Sequence, residues 1–427
     1  MLNLQKVLTG VAFVSATILP LPAAIVCVNP AGTNGCAKTI TAAVASASAG
    51  DTIDVAPGTY TGNITIGKPL TLVGANPATT IVDATGLPTG IYVDGIDNAK
   101  LSGVSISGFT VQNAQFEGIL VANASAVTIS GNIVTGNNKG VMIGGGQNGM
   151  NACPNIPSFE TSEGNDCGEG IHLMGATYSS IVNNTVTNNN GGILVSDDTG
   201  ATFGNVISGN TVSGNSLACG ITLASHVPAP LTSSSAPLGV YNNTVTGHQA
   251  SQNGLKGEGA GVGIFASAPG CKVYGNLVAN NTITGNGIPG VSIHGHAPGQ
   301  VLDGNTIVGN TLSGNGADVA DTATPGTAGI ALTSVSPVNG TVINGNTISG
   351  EMIAVAWNAP GTAQVQRNSF STYYGVYNLS AAGVVNADAN WWGCNNNPAG
   401  GFAFLSGCAA IAGPVNVTSW LSAAPGK

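Results

Sequence analysis

The chain has 427 residues, of which 43 % are hydrophobic and only 6 % charged, and a formal net charge of −9. That apolar content is too high for a disordered chain, and 64 glycines without a Gly-X-Y period exclude collagen. Nine Lys and Arg against eighteen Asp and Glu leave no basic surface for a phosphate backbone, so no nucleic-acid partner is expected.

Residues 1–24 read as a secretory signal peptide. MLNLQK carries Lys6, and VLTGVAFVSATILPLPAA is an apolar stretch that ends in small residues near Ala24. Pro20 and Pro22 interrupt the stretch and no basic cluster follows, which argues against a membrane anchor. No other apolar run of about 18 residues exists, so no membrane span is expected after signal removal. All eight cysteines lie beyond this segment and fall into local pairs, Cys27/Cys36, Cys153/Cys167, Cys219/Cys271 and Cys394/Cys408. Without a CxxC motif, disulfides in a secreted or periplasmic protein are favoured over metal binding.

Residues 25–95 are expected to form an N-terminal cap and the first coils. KTITAAVASASAG (38–50) reads as a short helix that covers the core of the first coil. Residues 96–390 carry the repeat. The motif N-T-[VIL]-[ST]-[GN] starts at Asn184, Asn210, Asn243, Asn281, Asn310 and Asn346, with relatives at Asn368 and Asn390. A second motif, Gly-[IV]-x-[LIVA], runs in phase with it from Gly118 to Gly329. Its period of 2 indicates strand, and the Gly/Asn punctuation indicates turns. Units this small close no core alone, so they stack at about 4.8 Å per coil into a solenoid. The expected fold is all-β, a single-stranded right-handed parallel β-helix, its Asn residues facing inward as a hydrogen-bonded ladder. Residues 391–427 are expected to cap the far end, with Trp391 and Trp392 as plugs.

GDTIDVAPGTYTGNITIGKPLTLVGANPATTIVDATG (50–86) resembles the opening of secreted bacterial right-handed parallel β-helix repeat proteins of the pectin-lyase-like superfold. The closing ANWWGCNNNPAG and VNVTSWL are similar to the end segment of that group, so the resemblance covers almost the whole mature chain. It implies the right-handed fold, in line with the handedness of parallel crossovers. The superfold includes polysaccharide lyases, hydrolases, esterases and epimerases, adhesins and phage tailspikes, so it implies no single activity. The generic repeat is also similar to a β-helix family of nitrous-oxide reductase maturation, which implies a periplasmic metal-handling alternative.

Polar residues are scarce enough for their positions to be informative. With the residue after each motif Gly facing inward, His172, Asp198, His226, His294 and His296 are expected to face outward. Two groups follow. One joins Glu163, Asp166 and Glu169 to His172, Asp197, Asp198 and His226. The other joins Lys256 and Glu258 to His294, His296, Asp318 and Asp321. Together they would line an extended polar groove across about six coils, roughly 24 Å long. Catalytic candidates are Glu258, His294, Asp318 and Asp321. Binding candidates are His172, Asp198, His226, His296, Lys256 and Glu169. Asp198 and His226, on adjacent coils at one offset from their Gly, are expected about 5 Å apart at the backbone.

Pectin-cleaving hydrolases of the superfold resemble one another in an Asp-pair coil followed by a Gly-His-Gly coil. Asp197-Asp198 and His294-Gly295 are similar, but are expected about four coils apart. Lyases of the superfold need calcium-binding carboxylates and a cationic base, and the single arginine, Arg367, lies far from the polar groups. No cofactor is required by the sequence; calcium would serve to bridge an anionic glycan to an acidic protein. His294-Gly295-His296 is compatible with a metal, but no third ligand is identifiable. The favoured function is a monomeric surface or adhesion protein that binds extracellular polysaccharide. The alternatives are a glycoside hydrolase or lyase that uses a carboxylate pair, and a metal-handling β-helix.

Overall fold

The computed structural model describes residues 23–138, 168–226, 237–256, 259–295, 297–319, 324–395, 398 and 407–425. Residues 1–22 of the expected signal peptide, the expected Cys153/Cys167 pair, and Glu163, Asp166, Glu258, His296 and Asp321 lie outside these residues.

Short parallel strands stack into sheets of fourteen, eleven and twelve strands, visited in that order by each coil, with a small three-stranded sheet between the third and the first. One coil consists of Ser180–Val182, Thr185–Thr187 and Gly191–Ser196; the next of Val206–Ser208, Thr211–Ser213 and Ile221–Ser225. The register stacks like on like: Ile181 on Ile207, Val186 on Val212, Ile193 on Ile221. Each inward residue therefore lies over an apolar neighbour of similar shape, and one continuous column of Ile, Val and Leu fills the interior.

The ends are closed as the sequence leads one to expect. The one α-helix among the described residues, α1 (Ile40–Ser46), is capped by Thr39, whose Oγ1 accepts from Ala42 N at 3.1 Å. It buries Ile40, Ala43 and Val44 against the first coil. The stack begins earlier than residue 50, because Ile25–Val28 pairs with Thr52–Val55. At the other end Trp392 is fully buried and meets Phe370 edge-on at 5.2 Å, while Ala410–Ala412 and Val415–Asn416 continue two of the sheets.

Disulfides join Cys27 to Cys36 and Cys394 to Cys408. The expected Cys219–Cys271 bond is not formed. Cys271 belongs to the interior column, whereas Cys219 packs with Ala260 and Ile288 in a separate outer cluster, so the wall of the helix separates them.

The Asn residues form three ladders rather than one. At the turn between the first and second sheets the rungs are Asn132, Asn184, Asn210, His248, Asn281, Asn310, Asn346, Asn368 and Asn390. A second ladder, after the second sheet, runs from Asn137 through Asn189, Asn215, Asn253, Asn286 and Asn315 to Glu351. A third, before the first sheet, holds Asn205, Asn243, Asn276 and Asn305. In a typical rung, Asn210 Oδ1 accepts from Asn184 N at 2.8 Å and from its Nδ2 at 3.0 Å. Asn184 Nδ2 also donates to Ile129 O at 2.9 Å. Both amide groups are thus satisfied in the interior, where a lost partner would cost about 1–3 kcal/mol. Asn243, grouped by sequence with Asn210 and Asn281, belongs to the third ladder. Two different turns each precede a three-residue strand, so the same N-T-V-T text serves both, and the true fourth rung is His248.

Candidate functional site

The outer face of the twelve-stranded sheet carries most of the singled-out polar residues, but not as an open groove. His172, Asp198 and His226 were expected in solvent; all three are buried, as are Glu169, His294 and Asp318. The physical reason is that this face has apolar clusters of its own. Leu120, Ala122 and Met174 pack with Tyr92 and Ile96, and Ala328, Ala331, Ile353 and Ala356 pack with Tyr374 and Tyr377. Burial without partners would be costly, so the polar groups between the clusters pair with each other.

They pair along the helix axis. His172 lies 3.0 Å by Nδ1 from Glu117 Oε1 and 2.8 Å by Nε2 from Ser196 Oγ. Ser196 Oγ donates in turn to Asp198 Oδ2, and Asp198 Oδ1 lies 3.0 Å from His226 Nδ1. Four consecutive coils are thereby linked, Glu117–His172–Ser196–Asp198–His226. Glu169 adjoins the start of this line, its backbone N donating to Glu117 Oε2 at 2.8 Å. Asp197 is held separately, accepting from Ser225 Oγ at 2.9 Å, from His226 N at 2.8 Å and from Gly239 N.

The two adjacent aspartates are shifted in opposite directions. Burial raises Asp197 above the ordinary carboxylate range, only partly offset by the His226 and Gly239 amides, the His226 ring and Ser225. Burial also opposes ionisation of Asp198, but the His226 charge and hydrogen bond, then His172 and Ser196, outweigh it and hold that carboxyl low.

Three coils beyond the Asp pair, rather than four, His294 Nε2 lies 2.8 Å from Ser292 Oγ and 3.0 Å from Asp318 Oδ2, with the Phe265 ring 5.3 Å away. The structure thus brings His294 to Asp318, two of the expected catalytic residues. Its partners in that expectation, Glu258 and Asp321, and the binding candidate His296, lie outside the described residues. The coil next to Asp197-Asp198 carries a histidine of its own, His226, flanked in sequence by Ser225 and Val227 rather than by glycines.

One ligand atom each from Glu117, Glu169 and His172 lies within 4.8 Å of the others, a set that could hold a metal ion. Two carboxylates and one imidazole suit a transition ion better than calcium, which takes six to eight oxygens. Glu117 and Ser196 were not singled out by sequence. Glu117 had a readable signal, since E-G-I occurs at both Glu117 and Glu169; Ser196 had none.

The open feature lies elsewhere, along the turns after the eleven-stranded sheet. A groove of about 610 Å³ crosses successive coils there, lined by Gln112, Asn113, Asn138, Asn188, Gln252 and Lys256 among others. Lys256 is a binding candidate that the structure does place in solvent. Among the described residues that line the groove, none is Asp or Glu.

The family described as right handed beta helix region matches residues 89–278. The catalytic domain of an α-1,3-glucanase in complex with tetrasaccharides superimposes with a TM-score of 0.53 at 16 % identity, over 94 % of this chain and 68 % of that one. The Dettilon tailspike protein does so with a TM-score of 0.53 at 13 % identity, over 88 % of this chain and 64 % of that one. The protein folds as a right-handed parallel β-helix. No curated protein matches the sequence. At these identities the likeness of this β-helix to the solved structures is one of fold alone. Among its described residues, no helix is long and apolar enough to cross a membrane.

Proposed function

We propose that this β-helix is a secreted or periplasmic polysaccharide-binding protein, and that the glycan lies in the groove along the turns after the eleven-stranded sheet. The observation that carries the reading is the lining of that groove. It is open, it crosses successive coils, and its polar groups are amides, one Lys and small polar side chains rather than carboxylates. Amides offer both donors and acceptors at fixed positions, which suits the hydroxyls of a neutral sugar chain. Among the described residues the lining carries no carboxylate pair of the kind that glycoside hydrolysis uses, which favours holding a polymer over cutting it. The α-1,3-glucanase domain of the same fold is seen in complex with tetrasaccharides, which is consistent with this reading. Export is supported by the two disulfides and by the signal-like residues 1–24.

Binding of the purified protein to immobilised plant and microbial glycans tests the reading. Retention on at least one neutral polysaccharide is expected; no retention on any of them rejects it.

A second reading, glycan cleavage, has one observation in its favour. Asp197 and Asp198 sit beside each other with ionisation pushed in opposite directions, and His226 occupies the next coil. Such separation is what an acid/base pair requires, but both carboxyls are buried. New reducing ends released by the parent protein and lost in Asp197→Asn would establish this reading in place of simple binding.

A further inference from the structure

The small three-stranded sheet, Thr202–Phe203, Val240–Tyr241 and Val273–Tyr274, places aromatic side chains in one register. The Phe203 and Tyr241 rings stack at 4.9 Å with planes 5° apart, and Tyr241 and Tyr274 at 5.0 Å and 10°. In the coil before, Thr177 occupies the register position opposite Phe203, so Tyr178 falls one residue beyond it. Its ring consequently meets Phe203 edge-on, at 5.3 Å and 82°. With 65 % of its surface exposed, the Tyr178 ring leaves a face open to solvent.

Tyr178 is also held in an unfavourable backbone conformation. Its φ is 52°, in the left-handed region that a bulky side chain avoids. The following coils place Gly204, Asn242 and Gly275 at the equivalent position, all with positive φ and all residues that tolerate it. The turn itself imposes this conformation, since Ala126 holds it at φ 50° in the preceding coil; what is particular to Tyr178 is a large ring that stays mostly exposed there. Strain retained at an exposed aromatic points to function.

We propose that Tyr178, Phe203, Tyr241 and Tyr274 form a second carbohydrate-binding surface on this β-helix, distinct from the amide-lined groove; this rests on the polysaccharide-binding reading above. One pyranose unit of the chain stacks the C–H face of its ring on Tyr178, and the hydroxyls of the units that follow bond to the phenol oxygens of Tyr241 and Tyr274. Those phenols make no hydrogen bond to the protein among the described residues. Tyrosine suits this occupant because it is apolar on its face and polar at its tip. The shape of the strip favours an extended glycan over a protein partner. It is one side chain wide and spans three coil steps, roughly 15 Å. A globular partner needs about 800 Å² per side, far more than such a strip supplies.

Calorimetric titration of the intact protein with cellohexaose, xylohexaose and laminarihexaose tests this. The parent is expected to show two classes of site for at least one of them. Tyr178→Asn is expected to remove one class and, because Asn tolerates positive φ, to raise Tm. The double variant Tyr241→Phe/Tyr274→Phe keeps the stack and is expected to weaken the same class at least fivefold without lowering Tm. Asn188→Gly/Gln252→Gly, in the groove, is expected to remove only the other class. Retention of both classes in Tyr178→Asn overturns the proposal and leaves the groove reading intact. A parent that shows only the class lost in the groove variant does the same. A parent that binds none of the three sugars overturns both.

Discussion

His248 takes the place of an asparagine by presenting its two ring nitrogens to Asn210 and Ile207, both of the neighbouring coil. Its Nδ1 accepts from Asn210 N at 3.0 Å, as an Asn Oδ1 does elsewhere in the ladder, and its Nε2 donates to Ile207 O at 2.9 Å, as an Asn Nδ2 does. Both bonds fix one neutral tautomer. Burial depresses its pKa to about 4, against which the Ile207 and Asn210 backbone groups pull only partly.

The sign of the pH effect follows. The unfolded state takes up a proton below about pH 6.5 and the folded state only near 4, so the unfolded chain binds more protons between these values. Stability contributed by this residue is intact above about 6.5, falls as pH drops through that window, and falls no further below about 4. The ceiling of the loss is about 3 kcal/mol. Urea midpoints measured from pH 7.5 to 4 are expected to decline, and His248→Asn is expected to flatten much of that decline. Identical profiles for parent and variant would contradict this assignment.

Glu351 ends the second ladder where the pattern calls for an amide. Its Oε1 accepts from Asn315 Nδ2 at 2.9 Å, and burial raises its pKa, with the Asn315 side chain and backbone opposing. A raised folded pKa means that this site favours folding at low pH and loses that contribution as pH rises through the folded value. Glu351→Gln keeps the accepting oxygen and removes the buried charge. It is expected to raise the denaturation midpoint at pH 8, by about 1–2 kcal/mol, and to have little effect near pH 4. A lower midpoint at pH 8 would show that the charge is needed.

The Asp198–His226 pair is buried on both sides, so removal of one partner leaves the other uncompensated. Asp198→Ala is expected to cost about 3–5 kcal/mol in equilibrium unfolding. Because Asp198 is held low in the fold, its contribution is present above the ordinary Asp range and is lost as pH falls through the depressed folded value. A cost below about 1 kcal/mol would mean that the pair is solvated.

Cys394–Cys408 closes a loop of 14 residues in sequence separation at the end of the stack. Its replacement by a pair of serines is expected to cost about 3 kcal/mol. Non-reducing peptide mapping of protein recovered from an oxidising compartment should also recover Cys27–Cys36 and no Cys219–Cys271 link.

The repeat made the architecture readable because a coil is a local object. Gly118 and Gly170, each followed by Ile, announce strands, and the Asn of each N-T unit announces a turn, without reference to distant residues. Ladder membership was not readable to the same depth. Asn243 and His248 lie five residues apart, and only the stacking of neighbouring coils shows which of them continues Asn210. Burial of the outer face was hidden for a related reason. Alternation assigned His172 to the outer side correctly, but exposure depends on what else packs there, and Leu120 comes from the preceding coil. Polar scarcity drew attention to His172, Asp198 and His226, which do meet through Ser196. It drew attention away from the neutral amides, such as Asn188 and Gln252, that line the open groove.

The most direct test of the central claim is a titration of the groove itself. Asn188 and Gln252 both have positive φ, so Asn188→Gly/Gln252→Gly removes two amides without adding backbone strain. With whichever neutral polysaccharide the parent retains, the account predicts that this variant keeps the parental Tm and loses at least tenfold in affinity at the groove site. Unchanged affinity at every site, with the fold intact, would contradict it.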